Sequence, residues 1–210
     1  MLGLAHLAKG EFRDAATFLE PNATLEGDLG TERFGALFIQ SASSAAHLSD
    51  VLCELGRFIE AIGHAEAAVQ IAEAADHPFS LNAGLFALGF AHLRRGDLPR
   101  AIRHLKRCLD RSRSWRFVVR TPSGAGATPG AAYGLAGWTE EALRLVAGAV
   151  SQFRRRQIHN RPAFILLCAG MTCLSVGRID EATNHAQEAL ALTRRLGARG
   201  KRGPRPLPQR

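Results

Sequence analysis

The 210-residue chain lacks several features that would announce a chemistry. It has no uninterrupted apolar run of the ~18 residues or more that a membrane-crossing helix needs. Its start, Met1-Leu2-Gly3-Leu4-Ala5-His6, carries no basic segment ahead of an apolar stretch, so it does not read as a signal peptide. The four cysteines form no paired framework. Cys168 and Cys173 are five apart, neither a Cys-x-x-Cys pair nor one helical face, so small buried thiols are expected at Cys53, Cys108, Cys168 and Cys173. With no export signal and no disulfide pattern, a reducing cytoplasm is the expected location. Gly124, Gly126 and Gly130 suggest a phosphate cradle, but no lysine follows and no strand precedes them.

What the chain does have is a repeat. Leu88 to Ala101 reads as the end of one helix, a tight turn at Gly96 and the start of a second helix. Its landmarks are a small residue (Gly89), a turn glycine seven positions later, and an alanine five further on. The same set recurs as Gly3/Gly10/Ala15, Ser49/Gly56/Ala61, Gly130/Gly137/Ala142 and Gly170/Gly177/Ala182. The turn glycines are 46, 40, 41 and 40 residues apart, which is a solenoid period.

Each landmark has a physical role. A glycine at the turn adopts left-handed geometry without a Cβ penalty. The residue two places later is apolar at Phe12, Phe58, Leu98 and Ile179, with Thr139 the exception. The alanine and the small residue twelve before it let the two helices of a pair, A and B, approach closely. A second small position (Ala68, Cys108, Ala149, Ala189) keeps helix B thin where the next pair docks. An ordinary antiparallel bundle with accidental periodicity is the alternative.

This pattern resembles the tetratricopeptide repeat, lengthened from its usual ~34 residues to about 40. The expected fold is therefore all-α: a right-handed solenoid of about five antiparallel pairs. They fall near 1–20, 31–75, 78–113, 122–156 and 161–196, with 198–210 a disordered Pro/Gly/Arg tail. Pro21 is expected to stop the first helix B. Asp76-His77-Pro78 and Asp97-Leu98-Pro99 look like cap-and-proline helix starts. Gly124 to Gly130 should leave the fourth helix A frayed until Ala131, and Phe117-Val118-Val119 reads as helix or linker.

Further stretches sharpen the resemblance: Leu25 to Leu29 with Glu32-Arg33-Phe34-Gly35, Ile71 to Leu81, and Leu192 to Gly200. Over about residues 1–200 they are similar to the C-terminal repeat region of large bacterial regulators with a class III adenylate/guanylate cyclase domain and an ATPase domain. The resemblance implies a signalling scaffold. It supplies no catalytic residue, because no Gly-x-x-x-x-Gly-Lys-Ser/Thr loop or cyclase metal-binding segment is present. The chain opens inside a helix A and closes in a basic tail. It therefore reads as a fragment of a longer regulator, with a tail of the kind a shifted reading frame produces.

No cofactor, metal or catalytic set is expected. His64, His104 and His185 share one helix B position, yet no acidic or cysteine partner recurs beside them, so they read as half-buried packing residues. The net charge of +8 sits largely in residues 194–210, whose seven Arg/Lys leave +1 on the rest. A second basic run, Arg94 to Arg120, offers the rival reading of a nucleic-acid-binding module. The favoured reading is a non-catalytic scaffold for a protein or peptide partner, or for the remaining domains of a parent regulator. Its partner-binding groove is expected to be lined by the A helices through Phe86, Phe90, Leu93 and Arg94 with Leu167, Met171 and Leu174, with Phe86, Phe90 and Met171 partly exposed on one concave surface.

Overall fold

The computed structural model describes residues 2–25, 27–114, 126–156 and 162–195. These residues form only helices: α1 (Leu2–Lys9), α2 (Phe12–Ala23), α3 (Gly27–Gly30), α4 (Gln40–Glu54), α5 (Phe58–Ala74), α6 (Pro78–Arg95), α7 (Leu98–Ser114), α8 (Ala127–Leu135), α9 (Thr139–Arg156), α10 (Pro162–Ser175) and α11 (Ile179–Arg195). Apart from the one-turn α3, they make five hairpins: α1–α2, α4–α5, α6–α7, α8–α9 and α10–α11. Successive hairpins stack into an all-α solenoid, α2 on α4, α5 on α6, α7 on α8 and α9 on α10. Phe117 to Val119, Gly124 and the tail at 198–210 lie outside the described residues.

The five hairpin corners are one structure repeated. Gly10, Gly56, Gly96, Gly137 and Gly177 have φ of 77°, 78°, 88°, 81° and 80°, the left-handed region that favours glycine. The residue after each glycine donates its N–H five residues back into helix A: Glu11 to His6, Arg57 to Leu52, Asp97 to His92, Trp138 to Tyr133 and Arg178 to Cys173, at 2.8–2.9 Å. This is the Schellman closure of helix A. The carbonyl of that same residue accepts the first backbone bond of helix B, from the N–H of Ala15, Ala61, Ala101, Ala142 or Ala182 at 2.9–3.0 Å. One residue thus ends helix A and begins helix B, which explains the fixed glycine-to-alanine spacing.

Close packing results from the corner. Ala15, Ala61, Ala101 and Ala142 are fully buried and Ala182 nearly so. The opposing glycines are equally confined. A Cβ on Gly89 would lie 2.6 Å from Leu105 Cγ, and one on Gly3 would lie 2.7 Å from Leu19 Cγ.

Between hairpins the chain is less uniform. Asp76 (φ 44°) takes the left-handed position between α5 and α6, and the His77 N–H bonds the Ala72 carbonyl at 2.9 Å. The cap of α6 is His77 rather than Asp76, its Nδ1 accepting from the Ser80 N–H at 3.3 Å. The Ser80 hydroxyl in turn accepts from the Ile39 N–H at 2.9 Å, tying the starts of α4 and α6 together.

Three local expectations are corrected. Pro21 lies inside α2, which runs on to Ala23; the proline ring fixes φ near the helical value, so the helix continues past it with one backbone bond missing. The second helix A starts at Gln40, after the positive φ of Phe34 and Gly35, rather than near residue 31. The fourth begins at Ala127, ahead of Ala131, because Gly130 and Ala131 are enclosed by neighbours that hold a weak helix former in place.

Enlarging Ala101 to Leu should force α6 and α7 apart. We expect a loss of about 1–3 kcal/mol in urea unfolding with helix content retained. A neutral substitution would show that the corner does not set the interhelical distance.

His92 on α6 is buried and stacks on His104 of α7, with ring centroids 5.7 Å apart and planes 8° apart. Burial holds both below their ordinary value of 6.5, and His92 adds to the effect on His104. Asp97, 3.6 Å from His92 Nδ1, and Glu66 oppose the shift, while Arg95, Arg100, Arg103 and Arg107 reinforce it. Below pH 6.5 the unfolded chain therefore binds protons that the folded chain refuses, so stability should fall as pH drops through and below that value. Melting temperature against pH checks this. His104→Gln should flatten the slope without abolishing it, since burial also lowers His77.

Candidate functional site

The stack is tightest where its residues are smallest. Helix α8 (Ala-Thr-Pro-Gly-Ala-Ala-Tyr-Gly-Leu) is buried from Ala127 to Gly134 and packs against α10. The approach is close: a Cβ on Gly134 would meet the Ser175 hydroxyl at 2.5 Å. So thin a helix lets α10 reach α6, and the rings of Phe90 and Phe164 meet edge-on with centroids 5.5 Å apart.

Beside that contact lies a groove of about 650 Å³. Its floor includes the buried Phe90, Leu93, Phe164 and Cys168. Exposed Leu135, Leu167, Met171 and Leu190 form the walls, with Ala186 and Thr193 of α11 completing one side. Among the described residues, Glu54 and Arg94 are its charged lining residues. They pair at 3.8 Å, and the Arg94 guanidinium lies 5.9 Å from the Phe90 ring centroid. The arrangement can bury apolar surface and offers a polar contact at one place.

Of the seven residues expected from sequence, Phe90, Leu93, Arg94, Leu167 and Met171 come together here, whereas Phe86 and Leu174 are not in the lining. The expectation that Phe86 and Phe90 are partly exposed is corrected, since they are 7% and 3% exposed. The reason is register. Positions ten, six and three before the turn glycine face the next hairpin. They are buried as Ala46, Asp50 and Cys53, as Phe86, Phe90 and Leu93, and as Ala127, Ala131 and Gly134. In α10 the same positions are Leu167, Met171 and Leu174, exposed by 39%, 45% and 59%.

Helix B shows the same break. Nine and thirteen after the glycine, Ala65 and Val69, Leu105 and Leu109, and Val146 and Val150 are buried, whereas Ala186 and Leu190 are exposed. These forward faces also alternate in size: small in α4, large in α6, small in α8 and large in α10. Leu190, Ala186, Leu135 and Phe164 were missed from sequence because only the inner face of the A helices was mapped. The recurrence of Val69, Leu109, Val150 and Leu190 at one register was the available signal.

Other candidate chemistry is quiet. All four cysteines are buried, and burial pushes Cys53 and Cys108 up to about 12, keeping them as thiols. His64, His104 and His185 are each half-buried. Among the described residues, one group could hold a metal: His6, Glu11 and Asp14. There His6 Nδ1 already meets Glu11 Oε2 at 2.7 Å and its ring stacks on Phe18, so the pair satisfies itself. None of the described helices is long and apolar enough to cross a membrane.

Comparison with known proteins agrees with the architecture. A tetratricopeptide repeat family model matches residues 40–114, which span α4 to α7. Two crystal structures of nearly identical TPR-like repeats, from a Podosopora anserina protein named for kinesin light chain, are similar in fold. One, of a point variant, has a TM-score of 0.58 at 17% identity, covering 93% of this chain and 92% of that one. The other has a TM-score of 0.57 at 17% identity, covering 93% of each. No curated protein matches, and neither of these structures is of a cyclase or ATPase regulator. The chain is an all-α solenoid of TPR-like fold, with tetratricopeptide repeats recognised over residues 40–114.

Proposed function

We propose that this chain is a non-catalytic protein-interaction scaffold whose groove beside α10 and α11 receives an apolar segment of a protein partner. One observation carries the reading. Leu167, Met171 and Leu190 occupy register positions that are covered in the three preceding hairpins, yet here they line an open groove. Contiguous exposed apolar surface over a buried floor is the physical mark of an interaction site. Tetratricopeptide repeats are protein-binding modules in general, which fits. The resemblance to cyclase/ATPase regulators adds a setting, a cytoplasmic signalling protein in which the partner segment belongs to the same regulator.

The rival reading, nucleic-acid binding, would use α7, where Arg100, Arg103, Lys106 and Arg107 are exposed. Two of these are already engaged, Arg107 with Glu73 at 2.8 Å and Arg100 with Asp97 at 3.4 Å.

Peptides selected from a displayed library on the immobilised chain test both readings. Met171→Glu and Leu190→Glu should each weaken their binding roughly tenfold or more, on the order of 1–2 kcal/mol. The melting temperature should hardly change, because both side chains are already exposed. Affinity should vary little with salt. If the groove variants bind normally, or if the chain instead binds nucleic acid with a steep salt dependence, the groove is not the site.

A further inference from the structure

We propose that the occupant of this groove is a partner's amphipathic α-helix, seated on α10 and α11 in the register by which each helix A of the solenoid sits on the hairpin before it. The proposal rests on the groove reading above and adds the shape and chemistry of the segment that fills it. The solenoid itself supplies the template. At three internal junctions the five register positions described above are buried, and in each case the hairpin that follows begins with a helix A. At α10 and α11 the same five, Leu167, Met171, Leu174, Ala186 and Leu190, are exposed. An interface already built three times within the fold continues here without a cover.

The internal junctions also specify the docking face. Where α6 sits on α5, Gly84 lies against Val69, and an added Cβ would come within 3.0 Å of both Val69 Cγ2 and the Val69 backbone nitrogen. Leu190 is the residue of α11 at the Val69 register and is larger. At α9 and α10 the same register of helix A holds Ile165, so the partner helix presents an apolar inner face across Leu167, Met171 and Leu190 and a polar outer face. Helices α6 and α10, with 18 and 14 residues, set its length at about 21–27 Å.

Two other occupants fit less well. A second copy docking through its own α10–α11 face would set Leu167, Met171 and Leu190 against the same large side chains. The residues after Gly197 include three prolines and a single leucine, too little for an apolar helical face.

The test uses the full chain and three synthetic 18-residue peptides of one design: an amphipathic Leu/Ala helix with central glycine, the same with central leucine, and the same with central proline. Fluorescence anisotropy gives affinity and circular dichroism gives helix formed on binding. We expect the glycine and leucine peptides to bind with a gain of helix, and the proline peptide to bind at least about tenfold more weakly. Met171→Glu or Leu190→Glu should abolish the gain, whereas Leu2→Glu, on the opposite end, should leave it unchanged. Equal binding of the proline peptide would overturn the helix while leaving the groove as a site for extended segments. If no peptide binds and the chain self-associates in a manner blocked by Met171→Glu, the occupant is a second copy. If no peptide binds, the chain stays monomeric and library peptides also fail, both this proposal and the groove reading fall.

Discussion

The structure depends on a corner in which one residue serves two helices. Asp97 shows the arrangement: its N–H closes α6 on the His92 carbonyl, and its own carbonyl accepts the first bond of α7 from Ala101. With Gly96 in left-handed geometry, the chain reverses without an unsatisfied backbone group at the bend. The reversal places Ala101 and Gly89 where the helices come closest, and neither position tolerates bulk. Corner, small residues and interhelical distance are thus one constraint. Its fivefold recurrence gives every hairpin the same cross-section.

A hairpin of that shape cannot bury its own apolar faces, so stability comes from stacking. One apolar cluster accordingly runs from Ala15 in α2 to Ala169 in α10. Where a thin helix intervenes, as α8 does, helices two hairpins apart touch, and the Phe90–Phe164 contact forms beside the groove. Groove and core share side chains. Phe90 and Leu93 are structural from below and form a binding floor from above, which ties the shape of the site to the integrity of the stack.

The hairpins were legible in the sequence because they are local. A glycine that must be left-handed and an alanine that must be small leave a fixed spacing at Gly96 and Ala101. The groove was legible only in part. Period identifies Phe90 and Met171 as equivalent positions, but exposure depends on what lies over them, which no spacing records. Phe86, Phe90 and Leu93 are therefore core, while Leu167 and Met171 at the same register line a surface. Pro21 misled for a different reason, since a proline reads as a stop although its fixed φ is itself helical. Asp76-His77-Pro78 does advertise a helix start, and only the cap shifts, with Asp76 at φ 44° and His77 as the capping residue.

The alternation of forward faces has a consequence for how such a chain can be rearranged. Each corner is closed entirely by its own residues, so a hairpin carried elsewhere in the chain would keep its bend. The faces between hairpins are not interchangeable. Ala46, Asp50 and Cys53 leave room for the bulky Leu81, Leu85 and Leu88 of α6, whereas Phe86, Phe90 and Leu93 have only the slender α8 as the next helix A. The order of the units is thus written in side-chain volume, like keyed parts that share a hinge but accept only one neighbour. Shuffling them would preserve every turn and every helix and would still leave voids at one junction and collisions at the next.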